Sequence, residues 1–215
     1  MPLPISTAHV IHRFRPAFAL LAIAVAFPVR AQQADSAHGA SPEPYSRLTV
    51  RVGATRAQTF NPLSTYYPGN SGAALEIETP FEFGLLGIVV EAITFKGTTP
   101  QQITTSTNTF ALDWRGRVPL TDRVALRPGV RVGDFHMVFQ DPAFNLPGAS
   151  PDHGTEEFLI GPTAALDLRL AGPLQATLAG AWIYIPTATR TKIAYVTLLG
   201  SYTVGTPPWL KRFLQ

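Results

Sequence analysis

Chemistry in this chain has few places to begin. Beyond residue 31 the histidines are His38, His136 and His153, and of these only His136 falls in a patterned segment, beside Asp134. A histidine near an acid is part of an acyl-transfer relay, which still needs a nucleophile within reach. Met137 and Val138 follow instead, and the chain has no cysteine. The patterns G-x-S-x-G, H-E-x-x-H and the P-loop are missing, as is any close repeat of histidines at metal spacing. Asp141, Asp152, Glu156 and Glu157 could gather a hard cation such as calcium, but their spacing follows no known loop and a solvated rim is the plainer reading. No catalytic residue, metal or cofactor is expected.

The remaining chemistry is ionic. Arg47, Arg51, Arg115, Arg127, Arg131 and Arg169 share the polar faces of alternating segments with Glu76, Glu78, Glu91, Asp113 and Asp167. Six cations against five anions are nearly balanced. Pointed into one narrow interior, each ion finds a partner that offsets its desolvation. The guanidinium fork suits such a network better than an ammonium, and the chain has fourteen arginines but three lysines. These eleven residues are expected to form an interior ion network. A solvated charged face is the bland alternative.

The elements that must position them are strands. After Tyr45 no stretch holds a helical period, whereas period-two alternation recurs eight times. The segments are Arg47 to Thr55, Ala73 to Thr79, Leu85 to Phe95, Phe110 to Arg115, Val124 to Val138, Phe158 to Leu170, Leu174 to Ile185 and Lys192 to Val204. In the first, Leu48, Val50, Val52 and Ala54 oppose Arg47, Thr49, Arg51 and Gly53. The eighth is apolar on both faces, so its facing stays open. Pro128 and Pro162 each remove a ladder donor and should demand a bulge or bend. Connections near 80–84, 116–122 and 171–173 are short; those near 58–72, 97–107, 140–154 and 186–191 are mostly longer. Short turns at one end and longer loops at the other are the rhythm of an all-β, eight-stranded antiparallel up-and-down transmembrane β-barrel.

Composition agrees. Of 215 residues, 14% are charged, well under the usual quarter. That argues against a cytosolic helical protein and against a nucleic-acid partner, which needs a basic field. The formal charge of +3 comes from Arg13, Arg15 and Arg30, which lie in an acid-free N-terminus. Residues 1–31 read as a signal peptide, with His12, Arg13 and Arg15 before the apolar run AFALLAIAVAF. A flexible polar lead is expected over 32–45, the barrel over 46–204 and a C-terminal tail over 205–215. An exported chain without a spanning helix crosses a bilayer only as a closed barrel. Tyr66, Tyr67, Phe83, Phe95, Phe110, Trp114, Phe135, Phe158, Trp182, Tyr184 and Tyr202 near strand ends could furnish two interfacial belts.

With its signal peptide, eight strands and the fragment LRPGVRVGDF, the chain resembles the small outer-membrane β-barrel proteins of the OmpA-like and OmpX-like kind. The resemblance is architectural and covers Arg47 to Val204. It implies the cell outer membrane, a sealed or very narrow interior, and partners in outer-membrane lipid, lipopolysaccharide and the outer-membrane insertion machinery. Deacylases of this architecture pair a His with a Ser two residues on, which His136 lacks. Such barrels commonly end on an aromatic residue, whereas this chain continues GTPPWLKRFLQ to Gln215. Either Phe213 serves instead or the tail is an appendage. The resulting expectation is a non-enzymatic barrel with a structural or surface-exposed role. A narrow channel, or a soluble periplasmic or secreted barrel for an apolar ligand, are the alternatives.

Overall fold

The computed structural model describes residues 43–60, 63–97, 104–140, 154–186 and 190–214. The readings of a signal peptide over 1–31 and a lead over 32–42, and those at His38, Asp141, Asp152, His153 and Gln215, lie outside the described residues. Eight long strands carry the fold: β1 (Arg47–Thr59), β2 (Gly69–Phe81), β3 (Gly84–Phe95), β4 (Thr104–Arg115), β5 (Val124–Gln140), β6 (Gly154–Ala171), β7 (Leu174–Ile185) and β8 (Thr191–Gly205). Each pairs antiparallel with its neighbour. β1 also pairs with β8, from Arg47 opposite Gly205 to Thr59 opposite Ile193, so the sheet closes on itself. A two-residue arm, Val118–Pro119, lies against Leu126 and Ala125 of β5.

Several strands run further than the alternation marks them. β1 continues through Gln58 and Thr59, β2 starts at Gly69, and β4 starts at Thr104. The added residues are mostly polar or glycine, so they carry ladder bonds without an apolar signal. At the short-turn end Gly84 (φ 127°) and Gly172 (φ 54°) occupy backbone regions that L side chains avoid.

Of the expected bulge or bend, neither proline shows a register shift. Pro128 pairs in unbroken register with Ala164, and its carbonyl accepts the Gly116 amide at 2.8 Å. A strand residue's N–H and C=O point toward the same neighbour, so the missing donor faces the place where β4 has just ended. Pro162 sits opposite Val130 on β5. On its other side the β6–β7 ladder passes from Ile160 opposite Tyr184 to Thr163 opposite Ala181 in the same register. The ladder is interrupted there without an inserted residue. The register shift in this pair lies between Arg169 and Ala171.

Gly161, next to Pro162, is pressed close against β7. A Cβ there would sit 1.9 Å from the Trp182 carbonyl oxygen. Gly161→Ala must push β6 and β7 apart. We expect a loss of about 1–3 kcal/mol, typical of overpacking, read as a lower urea midpoint for the barrel refolded in lipid vesicles.

The alternation assigns two faces. Val52, Leu75, Ile77, Leu112, Leu166, Leu178, Val196 and Leu198 point outward and are exposed. Arg51, Glu76, Asp113, Arg127, Arg131 and Asp167 point inward and are buried. β8, whose facing the sequence left open, turns Ile193, Tyr195, Thr197, Leu199 and Ser201 inward and Val196, Leu198 and Tyr202 outward. At the short-turn end Tyr45 donates its amide to the Pro80 carbonyl at 2.8 Å and sets its ring 5.9 Å from Phe81. After β8 the chain forms a short helix, α1 (Pro208–Leu214), tied back by Lys211 Nζ to Glu43 Oε1 at 2.8 Å.

Candidate functional site: the barrel interior

Inward positions along each strand recur every second residue, so an interior cluster needs charges two apart or opposite one another. β2 supplies Glu76 and Glu78, β4 supplies Asp113 and Arg115, and β5 supplies Arg127 and Arg131. Register sets Arg51 directly opposite Glu76 and Arg131 directly opposite Asp113. The remaining pairs form diagonally or across the lumen.

The result is one continuous chain of contacts. Glu91 accepts from Arg131 Nη1 at 2.9 Å, and Asp113 accepts from Arg131 Nε at 2.7 Å. Asp113 also accepts from Arg115, whose Nη1 reaches Glu76 Oε1 at 2.7 Å. The same Glu76 oxygen accepts from Arg51 Nη1 at 2.8 Å, and Arg51 Nη2 donates to Glu78 Oε1 at 2.9 Å. Glu78 in turn accepts from Arg127, which donates Nη2 to Asp167 Oδ1 at 2.9 Å. Thr177 Oγ1 ends the chain, donating to the same Asp167 oxygen at 2.7 Å. Seven of the eight strands are joined this way. Every arginine in it is at most 4% exposed.

Glycine makes part of the space: a Cβ on Gly129 would lie 2.6 Å from Arg115 Cγ. Two expected members stand apart. Among the described residues Arg169 has no carboxylate within ion-pair distance, and Arg47 lies with it at the short-turn mouth rather than in the buried chain. Arg47 opens β1 and Arg169 stands near the end of β6, both at the turn end.

Above the ions, toward the longer connections, the interior changes character. Ile93, Phe95, Phe135, Met137, Leu159, Ile183, Ile185, Ile193 and Tyr195 form a buried apolar plug. Tyr67 closes over it. The 3-10 turn Leu63–Thr65 carries Tyr67, whose amide donates to the Leu63 carbonyl at 2.9 Å. Its hydroxyl accepts from Thr105 Oγ1 at 3.1 Å, and its ring meets Phe95 edge-on at 6.4 Å. Tyr67, Phe95 and Phe135 therefore belong to the interior and not to an interfacial belt. The reason is parity: Phe95 follows Glu91 by four residues and Phe135 follows Arg131 by four, so each shares its ion's face. Tyr66, Phe83, Phe110, Trp182 and Tyr202 do project outward.

This arrangement ties each of the four buried arginines to at least one carboxylate. His136 lies on the outer face of β5, opposite Asn108 and Glu156, with Asp134 two residues below on the same face. Among the described residues no group of three or more His, Cys, Asp or Glu is placed to hold a metal ion.

Against known structures, the chain is similar to that of Neisserial surface protein A, with a TM-score of 0.54 and 11% identity over 72% of this chain and 96% of that one. The chain has the fold of the small eight-stranded outer-membrane barrels. Weaker likenesses are to Ail, the attachment invasion locus protein of Yersinia pestis (TM-score 0.49, 10% identity, covering 74% of this chain and 99% of that one). A third is to the outer membrane protein OprG from Pseudomonas aeruginosa (TM-score 0.46, 13% identity, 77% and 99%). No protein-family model matches the chain, and no curated protein sequence matches it either.

Proposed function

We propose that the protein is a small, non-enzymatic outer-membrane barrel with a sealed interior and a structural or surface-exposed role. The observation that carries this reading is the inversion of the two faces. Four arginines and five carboxylates fill the inside, while Leu, Ile, Val, Phe and Trp side chains ring the outside. Water would penalise the outer face at about 25 cal/mol per Å² of apolar surface, whereas acyl chains remove that cost. Outer-membrane lipid and lipopolysaccharide are then its surroundings, residues 1–31 its export signal, and the insertion machinery its route in.

The seal follows from the two zones. Ion pairs close the turn-side half and the Phe95–Phe135–Tyr67 plug closes the other. On this reading the two zones together leave the lumen neither a conducting path nor an apolar ligand cavity. The expected result is a protein that partitions with detergent-extracted membranes and gives no reproducible conductance steps in planar bilayers. Recovery in the soluble fraction without detergent would point to the soluble barrel. Regular steps from pure protein would instead establish the channel.

A further inference from the structure

The mouth at the short-turn end is the part of the interior the sealed network leaves unused. A cavity of about 50 Å³ opens there, lined in part by Arg47, Arg117, Arg169, Arg51 and Arg127. At about 10–15 Å³ of void per water, it has room for roughly three to five water-sized atoms, a range that includes the four oxygens of one tetrahedral oxyanion.

Its charge is unbalanced. The carboxylates on its lining are Glu78 and Asp167, and both are already engaged, Glu78 by Arg51 and Arg127, Asp167 by Arg127 and Thr177. Leaving Arg47 aside, the mouth and the buried network together hold six guanidiniums against five carboxylates. Asp122 and Arg123, which line an adjoining cavity, add no net charge between them. Among the described residues, Arg117 and Arg169 have neither an ion pair nor a hydrogen bond to their side chains. Arg51 is 2% exposed, and its Nε has no acceptor. Thr49 and Thr203, whose hydroxyls are 3.0 Å apart, add neutral donors to the same wall.

We propose that this mouth is a binding site for a phosphate-like oxyanion, held between Arg117 and Arg169. Guanidinium forks match two oxygens of such an anion at once, and the shallow, half-enclosed setting strengthens the contact relative to open water. The anion arrives either free or as the headgroup of an anionic phospholipid. The site belongs to the lumen, so it stands whether or not the outer-membrane reading does.

The test uses the full barrel in phosphatidylcholine nanodiscs, titrated with inorganic phosphate by calorimetry. Saturable uptake is expected in the millimolar range. Arg117→Gln with Arg169→Gln should weaken it by about tenfold or more, as loss of charge-assisted bonds predicts, with unchanged circular dichroism. Arg190→Gln, at the opposite end, should leave it alone. Repeating the titration in phosphatidylglycerol nanodiscs separates the sources. Phosphate uptake abolished there identifies a lipid headgroup as occupant, and unchanged uptake identifies a free anion. Uptake that never saturates in phosphatidylcholine, or that the double variant retains in full, overturns the site.

Discussion

Arg131→Leu should lower the stability of the lipid-refolded barrel by about 3–5 kcal/mol, because it leaves buried carboxylates without their counter-ion. Arg131 holds Asp113 through Nε at 2.7 Å and through Nη2 at 3.1 Å, and holds Glu91 through Nη1 at 2.9 Å. Asp113 keeps Arg115, but Glu91 loses the guanidinium that pairs with it. The double variant Arg131→Leu, Glu91→Leu should therefore recover part of the loss, since two apolar groups in a sealed interior cost less than one stranded charge. Arg190→Leu, in the exposed connection before β8, is the control and should shift the urea midpoint little. Equal shifts for Arg131→Leu and Arg190→Leu would contradict the inward-facing network.

Leu198→Arg tests the other face and should cost about 2–4 kcal/mol in lipid vesicles, the range for a cation near the bilayer midplane on a barrel wall. Leu198 is 63% exposed, and its ladder neighbours Ala54 and Leu178 face the same way. Val204→Arg, at the turn end of the same strand, should cost only about 0–1 kcal/mol. That gradient is the diagnostic. A barrel whose outer face met water would tolerate arginine equally at both positions, and matching urea midpoints for the two variants would remove lipid from the outer surface.

Much of the architecture was legible because period-two alternation survives any choice of environment. Arg51, Thr49 and Arg47 fall on one side of β1 whatever surrounds it, and the strand count follows from the turns. Who pairs with whom was not legible. Arg131 meets Glu91 across the lumen, two strands away, and that contact depends on the stagger the barrel adopts on closing. The aromatic residues misled for a different reason. Phe95 ends β3 and Phe110 opens the fourth segment as the alternation marks it, and an end position suits a belt and a plug equally. Only counting in twos from Glu91 and from Leu112 separates them. The plug itself was hidden because Ile193 and Tyr195 stand in a strand apolar on both faces, where alternation says nothing.

The seam between β1 and β8 imposes an order on events in the life of the chain. Thr49 meets Thr203 across 154 positions of sequence, and the whole closing ladder is of this kind. Contacts so distant must overcome the entropy of joining the two ends, which makes such folds slow. A nascent chain that lacks its last strand, fifteen residues long, has two raw edges, β1 and β7, and no way to hide either. Assembly therefore waits for release of the complete polypeptide. Until then β1 has β2 alone beside it, and its second partner is the last strand made.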